Sequence, residues 1–485
     1  MRKKASIMAS CMLLLFTVAA CSSEGGNNPK ATEGAGNTPE AVNETASVYP
    51  ENGLPKDEKV TLKFAYWENG MAREWIDYAI DTFTQKFPNV SFVTTYSPTI
   101  KTITGTKIAA GNDDDMFDIF SYVLPSPGDA VNLANGGKLE PQDDLWERKA
   151  YDGNGKTLRE LAQSGAADTN DKINGKTYAM PIVLSGTGLY FNKSLFEENG
   201  WNQNPKTWDE FLKLVDDIKA KDMIPITYPG KYPDYLYYSF GFHKFFERAE
   251  SRGNLKAFDS DYREYKTPYY ASPESIDMHN RIYELGKKGT FPQGVAALSH
   301  TQSQMQLLQG HAAMVSTGIW VENEMKDSTP EGFRWGYMSV PTGDSPDDTN
   351  WIRQAARGQY YIWAAKPELN KKWAKEFIVW MWNLDVQQQL GEKAGSVPIR
   401  SDYMSDQTRA EQLPGVIKET MAFMSANNTR SESGSRNVTL SDPGAEQAKK
   451  LVLEALNNIA SGKQEPESVL REAEDLLKKA VAAQK

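Results

Sequence analysis

Residues 60–93 read VTLKFAYWENGMAREWIDYAIDTFTQKFPNVSFV, and their apolar positions change period twice. Leu62, Phe64 and Tyr66 alternate with polar neighbours, as a strand with one buried face requires. Ile76, Ala79, Ile80, Phe83 and Phe87 then recur at helical spacing, and Val90, Phe92 and Val93 return to a strand pattern. The stretch predicts a βαβ unit of about 35 residues. The next apolar piece, Met116 to Tyr122, has the length of a buried strand, with Gly111 to Asp115 as its entry turn. Together these read as an α/β layer with a mostly parallel sheet.

Working outward towards the carboxyl end, Ser194 with Glu197 and Thr207 with Glu210 have the spacing of capping boxes ahead of Leu195 and of Trp208 to Lys219. In such a box the hydroxyl accepts from an orphan first-turn amide while the acid reaches back to the cap. Gly200 suits a helix stop and Pro205 a rigid entry to the next helix. Trp373, Phe377, Ile378, Met381 and Leu384 make an amphipathic stripe, and the chain ends in a helical hairpin turning at Ser461-Gly462. No internal repeat is evident.

Towards the amino end, Arg2, Lys3 and Lys4 precede an apolar run through Met12 to Phe16, and Val18-Ala19-Ala20-Cys21 follows. The layout has the basic, apolar and small-residue parts of a secretory signal and is too short for a spanning helix. Its last four residues resemble a bacterial lipobox, which implies cleavage after residue 20 and lipidation of Cys21. Residues 22–57 are rich in Ser, Gly, Asn, Pro, Glu and Thr, too polar to fold, and read as a tether roughly 30 Å long. Losing the signal removes three basic residues and no acidic one, taking the formal charge from -10 to -13. An acidic chain argues against nucleic acid and against electrostatic docking on anionic lipid. Cys11 leaves with the signal, so no disulfide is expected and the body must rest on its core.

Three stretches carry a family likeness: Asn174-Gly175-Lys176-Thr177-Tyr178-Ala179-Met180-Pro181, Leu189-Tyr190-Phe191-Asn192-Lys193-Ser194-Leu195-Phe196, and Pro205-Lys206-Thr207-Trp208-Asp209-Glu210-Phe211. They resemble the central signature of the extracellular solute-binding proteins (family 1) of carbohydrate ABC importers, maltose-binding protein among them. Asp118-Ile119-Phe120, Gly136 to Pro141, Gln309 to Met314 with Gly318-Ile319-Trp320, and Gly395 to Arg400 fall in that family's order. The resemblance implies a two-lobed, periplasmic-binding-protein-like α/β fold (type II), each lobe a sheet flanked by helices, with several interlobe crossings. Residues 58–184 and 358–407 would form the amino-terminal lobe, and 185–357 and 408–485 the carboxyl-terminal one. The crossings are expected near Leu184 and Ser185, near Arg357 and Gly358, and past Tyr403. The implied function is a monomeric, lipid-anchored receptor at the outer face of the cell membrane. It would capture a sugar between the lobes and deliver it to an importer permease, with no cofactor.

In open α/β sheets ligands gather beyond the carboxyl ends of the strands. That places Trp67 and Glu68, after the first strand, and Ser121 and Tyr122, after the Met116 strand, among the candidates. An aromatic plane covers the C–H face of a sugar while a carboxylate accepts its hydroxyls. By position in the family signature, Ser185, Gly186, Thr187 and Gly358 would line the crossings, and Tyr228 would follow a strand of the second lobe. Trp320 is the residue expected to stack on sugar. Tyr232 joins the set from a Tyr-rich segment. Each has a plainer alternative: a lone Trp or Tyr is often core packing, Glu68 a helix-start acid, and Ser185 or Thr187 a shaper of the hinge. Maltose-binding protein carries an aromatic platform near the start of its penultimate helix, where Gly444 to Leu451 here has none. Trp351, Tyr360, Tyr361 and Trp363 are possible substitutes.

His243, His279, His300 and His311 show no zinc spacing, and no Walker loop, dinucleotide turn or Gly-x-Ser-x-Gly elbow occurs. Asn112-Asp113-Asp114-Asp115 lacks the spacing and glycine of an EF-hand and reads as a solvated turn, with calcium at Asp113 left open. Two other readings stay in play. A glycoside hydrolase needs only two carboxylates across a cleft, and a receptor feeding a membrane sensor kinase would share the same fold and site.

Overall fold

The computed structural model describes residues 47–484 apart from 68–71, 122, 126–128, 164–165, 168–171 and 359. The expected signal, Cys21 and the tether up to residue 46 lie outside the described residues, as do Glu68 and Tyr122. In chain order the strands are β1 (Val60–Trp67), β2 (Val90–Ser97), β3 (Ile119–Ser121), β4 (Val183–Asn192), β5 (Ile224–Thr227), β6 (Ala312–Gly318), β7 (Trp335–Met338), β8 (Asn350–Arg357), β9 (Tyr360–Ile362), β10 (Val397–Pro398) and β11 (Thr429–Glu432). They form two sheets. One has the order β2-β1-β3-β9; the other runs β11-β8-β4-β6-β5, with β7 and β10 also on β4.

The βαβ opening folds as its periodicity requires. β1 and β2 pair in parallel from Val60↔Val90 to Trp67↔Ser97, and the helix between them, Glu74–Lys86, buries Trp75, Ile76, Ala79 and Phe83. Phe83 meets Phe377 at 5.3 Å and Phe87 meets Trp373 at 5.1 Å, so the stripe on helix Glu368–Trp380 closes the same core. Offset and edge-on ring packing of this kind adds to the area buried. β3 is shorter than the predicted Met116–Tyr122 strand. Met116 and Phe117 are buried before it, and Asp118 is already tied to β1, donating its backbone N–H to Lys63 O and accepting from Lys63 N at Oδ2.

The second sheet departs from the mostly parallel expectation. β4 runs antiparallel to β6, β7, β8 and β10, and only β5–β6 and β8–β11 pair in parallel. Apart from Ser185 and the terminal Asn192, every residue of β4 is buried, which fits its nearly unbroken run of apolar and small residues. Helices Trp208–Lys219, Phe242–Ser251, His300–Leu308 and Gly415–Ala426 flank this sheet.

The passages between sheets lie side by side. Met180 bridges Tyr360 of the first sheet, whereas Val183 pairs with Arg357 of the second. The chain therefore changes sheet at Pro181-Ile182, slightly before the expected Leu184-Ser185, and again at Gly358. Gly358 has φ +148°, and a Cβ there would lie 2.8 Å from Ile182 N, so this passage requires glycine.

Three local expectations are corrected. Helix Lys193–Asn199 is capped by Asn192, whose side chain accepts from Leu195 N, while Ser194 lies inside the helix and donates to Gly332 O. Helix Trp208–Lys219 starts as predicted at Thr207, which accepts from Glu210 N, but Glu210 reaches Lys206 N instead of the cap amide. The tether ends sooner than residue 57, because Tyr49 and Leu54 are buried. The Tyr49 ring packs 4.9 Å from Phe87 and 5.8 Å from Trp373, and its hydroxyl donates to Asn89 Oδ1. Composition alone hides this, since two apolar side chains in a polar segment suffice to hold a short turn.

Candidate functional site

β6 is buried along its whole length and ends at Gly318, where Ile319 N donates to Gly186 O of β4. The next residue, Trp320, turns the chain into helix Val321–Met325. Its half-buried ring lies over Gly318, where a Cβ would overlap the ring atoms. The Tyr238 ring stands edge-on to Trp320 at 6.1 Å, Tyr235 lies 4.5 Å from Tyr238, and His300 lies 4.9 Å from Tyr235. Side chains from the sheet pin this aromatic row: Thr187 Oγ1 donates to Tyr238 O at 3.1 Å and Ser316 Oγ to Tyr235 O at 2.7 Å.

Beside the row is a cavity of about 410 Å³ whose lining joins Ala72, from the loop after β1, to His300, Gln304, Asn323, Glu324 and Lys326 of the second lobe. Gln304 Nε2 donates to Glu324 Oε2 at 2.9 Å, and His300 Nε2 is 3.2 Å from Gln304 Nε2 and 3.6 Å from Glu324 Oε2. Burial pushes the Glu324 carboxyl up, opposed in part by the Gln304 hydrogen bond. Burial pulls the His300 imidazole down, so it is neutral at pH 7 and its approach to Glu324 is a polar contact, not an ion pair. The cavity presents an amide, a carboxylate and an imidazole, groups that pair with hydroxyls, and the aromatic row that ends at Trp320 reaches its wall through His300.

The structure brings only part of the predicted set to this place. Trp320, Gly186 and Thr187 gather at the end of β6, and Ser185, on β4, pairs with Ala355. Gly358 sits at the crossing beside Ile182. Trp67 and Ser121 end strands of the first sheet; Ser121 is buried with its hydroxyl unpartnered, and its ladder partner Tyr66 also has a hydroxyl without a partner. Tyr228 is corrected to core: it is fully buried, stacks edge-on to Phe291, and donates its hydroxyl to Asn457 Oδ1 at 2.9 Å. Tyr232 is exposed at the start of the turn Pro233–Tyr235, apart from the aromatic row. The suggested substitutes for a missing platform are packing residues: Trp351 and Trp363 are buried with their indoles donating to Glu250 and Asp113, and Tyr360 and Tyr361 are buried in β9.

Sequence reasoning missed Tyr238, Tyr235, His300, Gln304, Asn323 and Glu324. Only the density of Tyr between residues 228 and 238 hinted at them. Asp113 and Asp115 are spent on Lys138 and Lys107, and no group of three or more His, Cys, Asp or Glu among the described residues could hold a metal ion. No helix among the described residues is long and apolar enough to cross a membrane.

The sequence model of the bacterial extracellular solute-binding proteins matches residues 78–414. The Diacetylchitobiose binding protein NgcE of Streptomyces coelicolor is 25% identical over 308 residues, a match that spans 62% of this chain and 62% of that protein. The Multiple sugar-binding protein of Streptococcus mutans is 24% identical over 349 residues, 70% of this chain and 75% of its own. Among solved structures, a Chitin oligosaccharide binding protein superposes with a TM-score of 0.63 at 21% identity, covering 87% of this chain and 99% of that one, a likeness of fold. With two sheets flanked by helices, paired crossings at Ile182 and Gly358 and a cavity lined from both lobes, the chain belongs to the bacterial extracellular solute-binding protein family.

Proposed function

We propose that the protein captures a carbohydrate, an oligosaccharide in preference to a monosaccharide, in the cleft beside Trp320 and delivers it to the permease of an ABC importer. The observation that carries this reading is the half-buried Trp320 ring, seated on Gly318 beside a cavity lined from both lobes. The relatives named for diacetylchitobiose, multiple sugars and chitin oligosaccharide support a sugar as the solute. Sugar rings stack on the indole, and hydroxyls pair with Glu324, Gln304 and neutral His300. Trp67, Glu68, Ser121 and Tyr122 supply the facing lobe. Ligand that touches both lobes selects the closed form, which the permease then recognises.

In the same reading Cys21 carries a lipid that holds the receptor at the outer face of the cell membrane. The anchor raises the receptor's effective concentration near the permease without a new contact. Calorimetric titration with Trp320→Ala tests the site: affinity for the preferred sugar is expected to fall by ~2 kcal/mol, about thirtyfold. A folded variant with unchanged affinity removes the stacking role. Cys21→Ala is expected to leave affinity intact and reduce uptake by cells.

A further inference from the structure

Arg353 lies on β8, opposite Thr187 of β4 and Glu432 of β11, five residues before Gly358. Its guanidinium stands 4.4 Å from the centre of the Tyr238 ring and 5.4 Å from that of Phe242. Tyr238 in turn meets Trp320 edge-on at 6.1 Å, and its carbonyl is held by Thr187. The segment 232–242 therefore has two attachments to the strands that lead into the crossings, a hydrogen bond from β4 and a cation over an aromatic face from β8. Asp234, in the same segment, also feels the Arg353 charge, which opposes the upward push of burial on its carboxyl.

We propose that Arg353 is a positioning residue for sugar capture: by stacking on Tyr238 it fixes the ring against which Trp320 is set, and so ties the sugar platform to the strand that enters the Gly358 crossing. The proposal rests on the reading of the Trp320 cleft as a sugar site. A planar guanidinium over a half-buried tyrosine is a contact that an aliphatic side chain of similar length cannot replace.

The test is a double-substitution cycle on the whole chain, titrated with whichever of diacetylchitobiose, raffinose and maltose the unsubstituted protein binds most tightly. Arg353→Met is expected to weaken binding about 5- to 30-fold. Arg353→Lys, which keeps a cation over the ring, is expected to recover part of that loss. In a Tyr238→Ala background Arg353→Met should cost no more than about twofold, because the ring through which Arg353 acts is gone. Wild-type affinity in Arg353→Met, or the same loss in both backgrounds, overturns the proposal. Should Arg353→Met not fold, Arg353→Lys in the two Tyr238 backgrounds carries the same comparison. Absence of binding of all three sugars by the unsubstituted protein would sink the sugar-site reading itself, and this proposal with it.

Discussion

A methyl group on Gly318 would occupy space that the Trp320 ring fills. Gly318→Ala is therefore expected to move the indole and to weaken sugar binding almost as much as Trp320→Ala, by ~2 kcal/mol, in calorimetric titration; unchanged affinity would show that the ring's seat does not matter. Trp320 could be singled out in the sequence because Gly-Ile-Trp follows a strand in an ordered set of motifs, and the structure puts it directly after β6. Glu324, Gln304 and His300 could not, because Glu324 comes from a different helix than His300 and Gln304, and the i, i+4 spacing of those two is common on any helix. Tyr228 misled for the opposite reason: it follows β5, where a ligand contact is expected, yet helix Pro443–Ala460 covers that position. His279 carries a pH prediction. Its neutral form is satisfied on both sides, Nδ1 donating to Ser275 O and Nε2 accepting from the Tyr237 hydroxyl, and burial pulls its pKa down to about 4. Between pH 6.5 and 4 the unfolded chain binds a proton there that the native protein does not, so stability falls as pH drops through this window. The slope from this group is about 1.4 kcal/mol per pH unit, and His279→Gln is expected to remove it in denaturant melts at pH 5 and 6. An unaltered slope would mean that His279 does not set this pH dependence.

At the scale of elements, the βαβ opening, the helix at Thr207 and the terminal hairpin were readable because period and cap coincide over long segments. The antiparallel setting of β4 was not. An apolar run buried on both faces looks the same whichever way its neighbours run. The turn at residues 47–57 was also hidden, and it makes a prediction of its own. Tyr49→Ala deletes a buried ring and a hydroxyl bonded to Asn89, and is expected to cost about 3 kcal/mol in urea unfolding. Sugar affinity should stay unchanged, since Tyr49 lies at the amino end of β1 and β2 and the cleft beyond their carboxyl ends. Full stability without the ring would return this segment to the tether. Gly358→Ala addresses the crossing, where a Cβ meets Ile182 N and Met180 O on the adjacent passage. It should destabilise the chain and weaken binding together, read by melting and titration on the same samples, whereas wild-type values for both would mean that the passage tolerates a side chain.

For the whole molecule, the two-lobed fold was legible from the order of its motifs over most of the chain, while the ligand was not, because its identity lies in side chains that only the folded lobes bring together. Despite the acidic balance of the chain, capture of an uncharged sugar through stacking and hydroxyl hydrogen bonds is expected to be insensitive to salt, in contrast to a site driven by charge. The central claim is capture without chemistry. Calorimetric titration of the whole chain carrying Cys21→Ala with a panel of mono- and oligosaccharides, with the sugars analysed afterwards, tests it most directly. Micromolar or tighter binding of at least one oligosaccharide, recovered intact, is expected; no binding across the panel, or steady release of smaller sugars, would rule out capture without chemistry.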